Sequence, residues 1–492
     1  MQRKYLRRDI IPSLSAIILS IALVTVNIFR IINIPITIDE TGYYPHYTYY
    51  NLLRSTDGNA NNHILHSVIR KFFVETFTEN LFFLRLDSLI AQFIFLLFSW
   101  LLSRALFKNK WWALFVFILL NTISPLIFDF WGLSRGYALS LALMIVSIYC
   151  LIRYMAGNRI LLLSISFATA VLAALSNFGY INYFIALSGV LVIQNIIFKR
   201  SGAKSSLFKE ITVLFFAVIA FALLIIEPLK NVYRNGELVF LGNVGFIHDT
   251  VKTLIMDGLF LHDQPFHRLI KFITWSVVIL TCAGGFYWLC VYLKKEYYKK
   301  EATIEAKYGI TLFLLLIIPV ISLLLQHHLL GINYLIGRTA LFFILLFILQ
   351  FIYWLHYLKP VIPKIIWAIL LSVVLAAGYN FSFRSHTNYA YLWWFDMDDL
   401  NVLKRMTEES KNKPGKIKIK VCWLFTPSFN YDIRHHFNGR FYPVEDYHDN
   451  PGNDTTFDYY YIASSEVTNM MTDKYHKDTD FVYGGYVLYK KN

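Results

Sequence analysis

Apolar runs and short polar connections alternate along most of this chain, and their spacing predicts membrane-spanning helices. About 20 residues at 1.5 Å rise each cross the hydrocarbon of a bilayer, so runs of roughly 18 or more read as spans. Eleven such runs are expected: Ile11–Ile32, Leu84–Leu106, Trp111–Phe128, Tyr137–Tyr154, Ile160–Leu175, Tyr180–Phe198, Ile211–Pro228, Leu269–Leu293, Gly309–Leu325, Thr339–Leu355 and Ile365–Phe381. The first run is too long for the core of a signal peptide and no small-x-small pattern follows it, so it is expected to stay in place.

Two outer loops are long. Residues 35–80 contain "NNHILHSVIRKFFVETF", in which Ile64, Leu65, Val68, Ile69, Phe72 and Phe73 recur at helical spacing between His, Arg and Lys. That pattern predicts an amphipathic helix in the interface plane. Residues 229–268 carry a similar stretch, "FIHDTVKTLIMDGLFL". After residue 381 the pattern turns polar and mixed. A helical stretch follows "DMDD", and alternation in "KIKIKVCWLF", "FDYYYIAS" and "FVYGGYVLYK" predicts strands. The expected fold is a polytopic α-helical membrane protein of about eleven spans over residues 1–381, with a small α/β domain over 382–492.

Composition agrees with this fold: 57% of the 492 residues are hydrophobic and 16% charged, against about a quarter charged in soluble proteins. The net charge of +14 could suggest nucleic acid, but its distribution explains it otherwise. Basic residues fill the N-terminus "MQRKYLRR" and the connections at Lys108–Lys110, Lys199–Lys209, Lys294–Lys307 and Lys359–Lys364, while the intervening connections are nearly free of them. By the positive-inside rule the basic set is cytoplasmic. The charge is then a topogenic signal, no nucleic-acid partner is expected, and the C-terminal domain lies outside an inner, cytoplasmic membrane. Of the four cysteines, Cys150, Cys282 and Cys290 fall within spans and Cys422 outside, with no disulfide or metal-thiolate spacing.

Candidate chemistry collects on the outer side. "IPITIDETGYY" puts Asp39 and Glu40 just beyond the first span. "NANNHILHS" leads through Asn62 and His63 into the amphipathic helix, and "DFWGLSRGYALSLAL" places Asp129, Arg135 and Tyr137 around the start of the fourth span. In "GINYLIGRTALFF", Arg338 meets the tenth span from outside. Both arginines run against the topogenic trend, where snorkelling or pairing with lipid phosphate is the plain explanation. A carboxylate with two guanidinium groups is also the equipment for a substitution in which phosphate departs. Arg grips phosphate with two parallel bonds, and a carboxylate takes the proton of an incoming hydroxyl. A second carboxylic acid, as glycosidases need, is superfluous when phosphate leaves.

Together, "IDETGYY", "NNHILHS" and "LSRGYALSL" resemble the membrane-embedded glycosyltransferases of the class C fold (GT-C), of the protein O-mannosyltransferase and lipid A aminoarabinose transferase type. The resemblance covers the membrane part. It implies that Asp39, within the acidic pair Asp39–Glu40, is or adjoins the catalytic base. His63 and Leu65 match a His-Pro-Pro-Leu-like element, with Ile64 in place of proline. Arg135 and Tyr137 match the Arg-x-Tyr of the fourth span, and Arg338, followed here by Thr339, matches an Arg at a late span. The resemblance further implies a polyprenyl-phosphate-linked sugar as donor. An outward site agrees, since it has no access to cytosolic nucleotide sugars, and no Gly-rich nucleotide fingerprint is present.

The function expected is therefore an inverting glycosyltransferase of the cell envelope, acting from a polyprenyl phosphate onto a hydroxyl of a protein, lipid or glycan. The alternatives are a lipopolysaccharide ligase or polysaccharide polymerase, and a transporter or lipid flippase. Transporters place charges at mid-membrane and carry internal repeats; here charges gather at one rim and no repeat is visible. Asp39 is the expected base, and Glu40 orients the acceptor or a divalent metal ion. Arg135, Arg338 and His63 face the phosphate, with Asn62, Asp129 and Tyr137 in support. No organic cofactor is expected. The "DMD" of Asp396–Asp398 has the spacing of a metal motif, but precedes a helix that either acid could cap. His262, His267, His327 and His328 lie on outer loops without ligand spacing.

Overall fold

A computed structural model of the chain describes residues 2–41, 48–56, 58–59, 62–197, 204–237, 242–261, 266–297, 303–358, 364–437, 439–448, 454–463, 474–481 and 486–492. It divides into two compact units, Met1–Asn27 with Tyr47–Ser385, and Ile28–His46 with His386–Asn492.

The first unit is helical, and each apolar run reappears as helix. Among the described residues seven helices are long and apolar enough to cross a bilayer, and eight if a bent pair is one span. The protein is an integral membrane protein. The expected count of eleven is not confirmed on this criterion. The Ile160–Ser176 and Phe342–Leu358 helices are apolar but only 17 residues long, about 26 Å at 1.5 Å each. The run at Trp111–Phe128 is no single helix: it breaks into Lys110–Thr122 and Pro125–Trp131, bent by 72°. Pro125 has no N–H to continue the first helix, and the Ser124 hydroxyl accepts from Ile127 N (3.3 Å) to start the second.

The Gly136–Gly157 helix is the centre of this unit. It packs against Leu86–Leu106 on one side and Ile160–Ser176 on the other. Ser147 Oγ donates to Ser166 O (2.7 Å), Ser166 Oγ to Ser147 O (2.8 Å), and Tyr183 Oη to Ser147 Oγ (2.8 Å). Small side chains and interhelical hydrogen bonds of this kind replace the hydrophobic effect, which does little between helices in lipid. At the opposite extreme, the apolar stretch within Leu207–Arg234 is mostly exposed, as a lipid-facing helix should be.

The amphipathic stretch in the first loop is a helix, Ile64–Thr76. Its buried side carries His66, Arg70 and Lys71 beside Ile64, whereas Phe72 is exposed. The stretch in the second loop forms a π-helical turn, Phe246–Lys252, continued by the α-helix Thr253–Gly258.

The second unit contains a five-stranded mixed sheet of order β2-β1-β3-β5-β4. The strands are β1 (Ile419–Cys422), β2 (Glu445–Tyr447), β3 (Tyr459–Ala463), β4 (Tyr475–Phe481) and β5 (Tyr486–Lys491). β1 runs parallel to β2 and β3, while β5 is antiparallel to β3 and β4. Two parallel partners require crossovers, and the Thr426–His436 helix supplies the one from β1 to β2. Val402, Leu403 and Met406 of the Asp399–Glu409 helix pack with Val421, Phe425, Phe429, Tyr461 and Leu488 in one core. The stretch "KIKIKVCWLF" is extended over a shorter length than its alternation predicts, because Trp423–Phe425 turns into a 3-10 helix. β2 is three residues long and carries no alternation that could have marked it.

Candidate active site

In the membrane unit the connection before the Gly136–Gly157 helix folds tightly. Gly132 N bonds to Asp129 O (3.0 Å), ending the Pro125–Trp131 helix, and Arg135 N bonds to Leu133 O (2.9 Å). Arg135 is the residue before the Gly136–Gly157 helix, in extended conformation and 2% exposed. Its guanidinium lies over the Tyr137 ring, 5.9 Å from the centroid. Tyr137 also meets His63 edge-on (4.9 Å) and Phe130 (4.3 Å). The residue between them has to be glycine: a Cβ on Gly136 would overlap the Ser176 carbonyl and His63. The backbone thus approaches closely, and "RGY" sets Arg135 and His63 beside one another.

Arg338 arrives from the other end of the sequence. It sits in a 3-10 turn, Gly337–Ala340, and the long helix begins only at Phe342, so its side chain stays outside that helix. The turn is held by Thr339 Oγ1, which accepts from Ile336 N (2.9 Å), and by Thr253 Oγ1, which accepts from Gly337 N (2.8 Å). Thr250 Oγ1 donates to Leu335 O (2.7 Å). The second outer loop is therefore the cradle of this arginine. Gly337 has φ +43°, and Asp257 fills the space a side chain would need.

His63 lies within the field of both arginines. Burial holds its imidazolium form well below the ordinary range, and the charges of Arg135, His66 and Arg338 push the same way; a bond to the Ser176 carbonyl opposes them. Nε2 has no hydrogen-bond partner, so the bond to Ser176 is made by Nδ1, which must carry the proton because a carbonyl only accepts. A neutral ring of this tautomer offers a buried lone pair at Nε2.

Of the supporting residues, Asn62 is a loop staple: Nδ2 donates to Leu52 O (3.3 Å) and Ser55 Oγ (3.4 Å), and Oδ1 accepts from Ser67 Oγ (3.0 Å). Asp129 is buried in the short Pro125–Trp131 helix.

The acidic pair belongs to the second unit. Asp39 and Glu40 share one helical turn, Ile38–Thr41, packed on the Thr426–His436 helix. Glu40 is 1% exposed and its Oε2 accepts from Thr37 N (3.0 Å) and Thr37 Oγ1 (3.2 Å), a reach-back of the capping-box kind. Glu40 therefore builds the turn that presents half-buried Asp39.

Asp396 completes that turn. Its Oδ2 accepts from Ile38 N (3.0 Å). The "DMD" acids were expected to cap the helix that follows them, yet Asp398, at the cap position, makes no side-chain cap bond. Sequence distance hid the real partner, 358 residues away. Burial pushes the Asp396 carboxyl well above its ordinary value, the Ile38 N–H opposes this, and the charges of Asp39, Glu40 and Asp432 raise it further. Asp399, which accepts from Ser428 Oγ (2.5 Å), is raised by burial and by its acidic neighbours. Among the described residues no group of three or more His, Cys, Asp or Glu side chains is placed to hold a metal ion. Glu40 and the outer histidines do not form one; His262 lies outside the described residues.

Asp432 gives these buried acids a measurable consequence. Burial raises its carboxyl to about 7, against the pull of Lys404. The folded chain then holds a proton that the unfolded chain loses near pH 4, so stability falls as pH rises from about 4 to 7. Asp432→Asn is expected to flatten that fall in thermal unfolding followed from pH 4.5 to 8. Parallel profiles for variant and wild type would contradict the assignment.

No family model and no curated protein matches the sequence. Among solved structures the chain is similar to a crystal structure of ArnT from Cupriavidus metallidurans in the apo state, at 12% identity and a TM-score of 0.44, covering 97% of this chain and 98% of that one. It is likewise similar to ArnT from the same organism bound to undecaprenyl phosphate, at 12% identity and a TM-score of 0.40, covering 96% and 97%.

Proposed function

We propose that the protein is an inverting glycosyltransferase of the GT-C type, moving a sugar from a polyprenyl phosphate to an acceptor hydroxyl at the outer face of the cytoplasmic membrane. The N-terminus then lies in the cytoplasm, and the unit containing the sheet lies outside. The observation that supports this reading is the buried cluster of Arg135, Tyr137 and His63, with Arg338 acting on the same histidine through its charge, both arginines being set against the positive-inside trend.

The chemistry follows from the groups. A dolichol- or undecaprenyl-type phosphodiester carries one negative charge in the ground state and gains a second as the glycosidic bond breaks. Arg135 and Arg338 hold that phosphate by charge-assisted bonds that strengthen as the charge grows. The N-terminus of the Gly136–Gly157 helix adds its positive end. Asp39 takes the proton of the acceptor hydroxyl as it attacks the anomeric carbon from the face opposite the phosphate, which inverts the configuration. The lone pair of His63 Nε2 accepts a hydrogen bond from a sugar hydroxyl.

Incubation of the purified chain in lipid nanodiscs with radiolabelled polyprenyl-phosphate sugars and envelope acceptors is expected to give a glycosylated product and free polyprenyl phosphate. Transbilayer movement of the lipid without transfer would replace this reading with a flippase.

A further inference from the structure

A buried chain of polar side chains in the membrane unit has no part in the chemistry above. His66 Nδ1 is hydrogen-bonded to Asp87 Oδ2, and His66 Nε2 lies 3.3 Å from Ser134 Oγ. The three side chains come from three places: His66 from the first turn of the Ile64–Thr76 helix, Asp87 from the first turn of Leu86–Leu106, and Ser134 from the connection before Gly136–Gly157. All are at most 3% exposed. Ser88, beside Asp87, donates from Oγ to Leu133 O (2.6 Å). Two adjacent residues of one helix thus fix the two residues that precede Arg135.

We infer that Asp87, His66 and Ser134 form a positioning relay that sets Arg135 for a lipid phosphate, an inference that rests on the function proposed above. A carboxylate only accepts, so His66 Nδ1 donates to Asp87 and the ring cannot rotate freely. Nε2 then takes the Ser134 hydroxyl when the ring is neutral. The position of the loop Leu133–Arg135 is read from the helix that carries both His63, which precedes it, and His66, so the two sides of the pocket are fixed to each other. The same order of groups makes a nucleophilic serine in hydrolases. Here Ser134 is 2% exposed, which suits a strut.

A positioning role has a signature that a merely structural one lacks: affinity for the phosphate changes in protein that is fully folded. The probe is undecaprenyl phosphate, titrated into the full chain in nanodiscs, with thermal unfolding measured alongside. Arg135→Ala is expected to weaken binding roughly 10- to 100-fold, as loss of hydrogen bonds to a charged group does. Ser134→Ala deletes one neutral bond and should weaken it roughly three- to tenfold, with an unfolding midpoint near wild type. Asp87→Leu should do at least as much, while Asp87→Asn keeps an acceptor for Nδ1–H and should restore most of the affinity.

The outcomes separate. If wild type fails to bind undecaprenyl phosphate, the proposed function falls and the relay with it. If wild type binds and Arg135→Ala weakens binding, but Ser134→Ala and Asp87→Leu bind as wild type does, the function stands and the relay is wrong. Covalent labelling of Ser134 by a fluorophosphonate would also overturn the relay, since the serine would then be a nucleophile.

Discussion

Asp39→Asn is expected to leave the chain folded while reducing turnover by about 10²–10⁴, the usual contribution of a positioned general base. The turn that carries it does not need its charge. Thr37 N is held by Glu40 and Ile38 N by Asp396, and both bonds survive the substitution. Asparagine matches aspartate in size, so packing against the Thr426–His436 helix is kept. What disappears is the capacity to take a proton. Asp396 sharpens the comparison. Burial raises its carboxyl well above the ordinary value, and the charges of Asp39 and Glu40 add to the rise. Asp396→Asn keeps an acceptor for Ile38 N–H and should retain most activity, whereas Asp396→Leu loses the bond and should lower turnover through the turn. Turnover with labelled donor, measured beside thermal unfolding, decides the matter. An Asp39→Asn protein as active as wild type would leave the acidic pair without a catalytic role.

How far the chain could be read without coordinates depended on the range of each signal. Span positions rest on local apolarity, and every run became helix. Breaks rest on one or two residues: Ser124 and Pro125 end a helix that hydropathy averaged over, and the glycine turn at Gly337 delays the Phe342–Leu358 helix past Arg338. That His66, Arg70 and Lys71 of the Ile64–Thr76 helix are buried was hidden, because periodicity marks two faces without telling which one meets protein. The candidate residues were chosen by chemical type and by expected side of the membrane. Their supports were not visible. Asp396 bonds to Ile38 from 358 residues away, and Ser134 meets His66 across 68. The His63–His66 spacing on one helical face was the only local hint of the relay. The His63 tautomer depends on a carbonyl, Ser176, that no pattern of side chains could have indicated.

Arg338→Ala is expected to raise the donor KM roughly 10- to 100-fold and to lower kcat as well. The two effects have separate origins. The donor carries its phosphate charge before reaction, so loss of the guanidinium weakens ground-state binding. The charge grows as the glycosidic bond breaks, so the transition state loses more than the ground state does. Asp39→Asn, by contrast, should leave the donor KM near wild type, because a base acts on the acceptor. The arginine can be removed without undoing its turn, which is held by Thr339 and Thr253 through backbone N–H groups. Arg338→Lys tests the fork: a single ammonium keeps charge but loses the paired bonds, so its KM should fall between wild type and alanine. Raising the salt concentration should narrow the gap between wild type and Arg338→Ala only slightly, since buried or partly buried charges are weakly screened. Should kcat fall while donor KM and the affinity for undecaprenyl phosphate both stay at wild-type values, Arg338 would have no place at the phosphate.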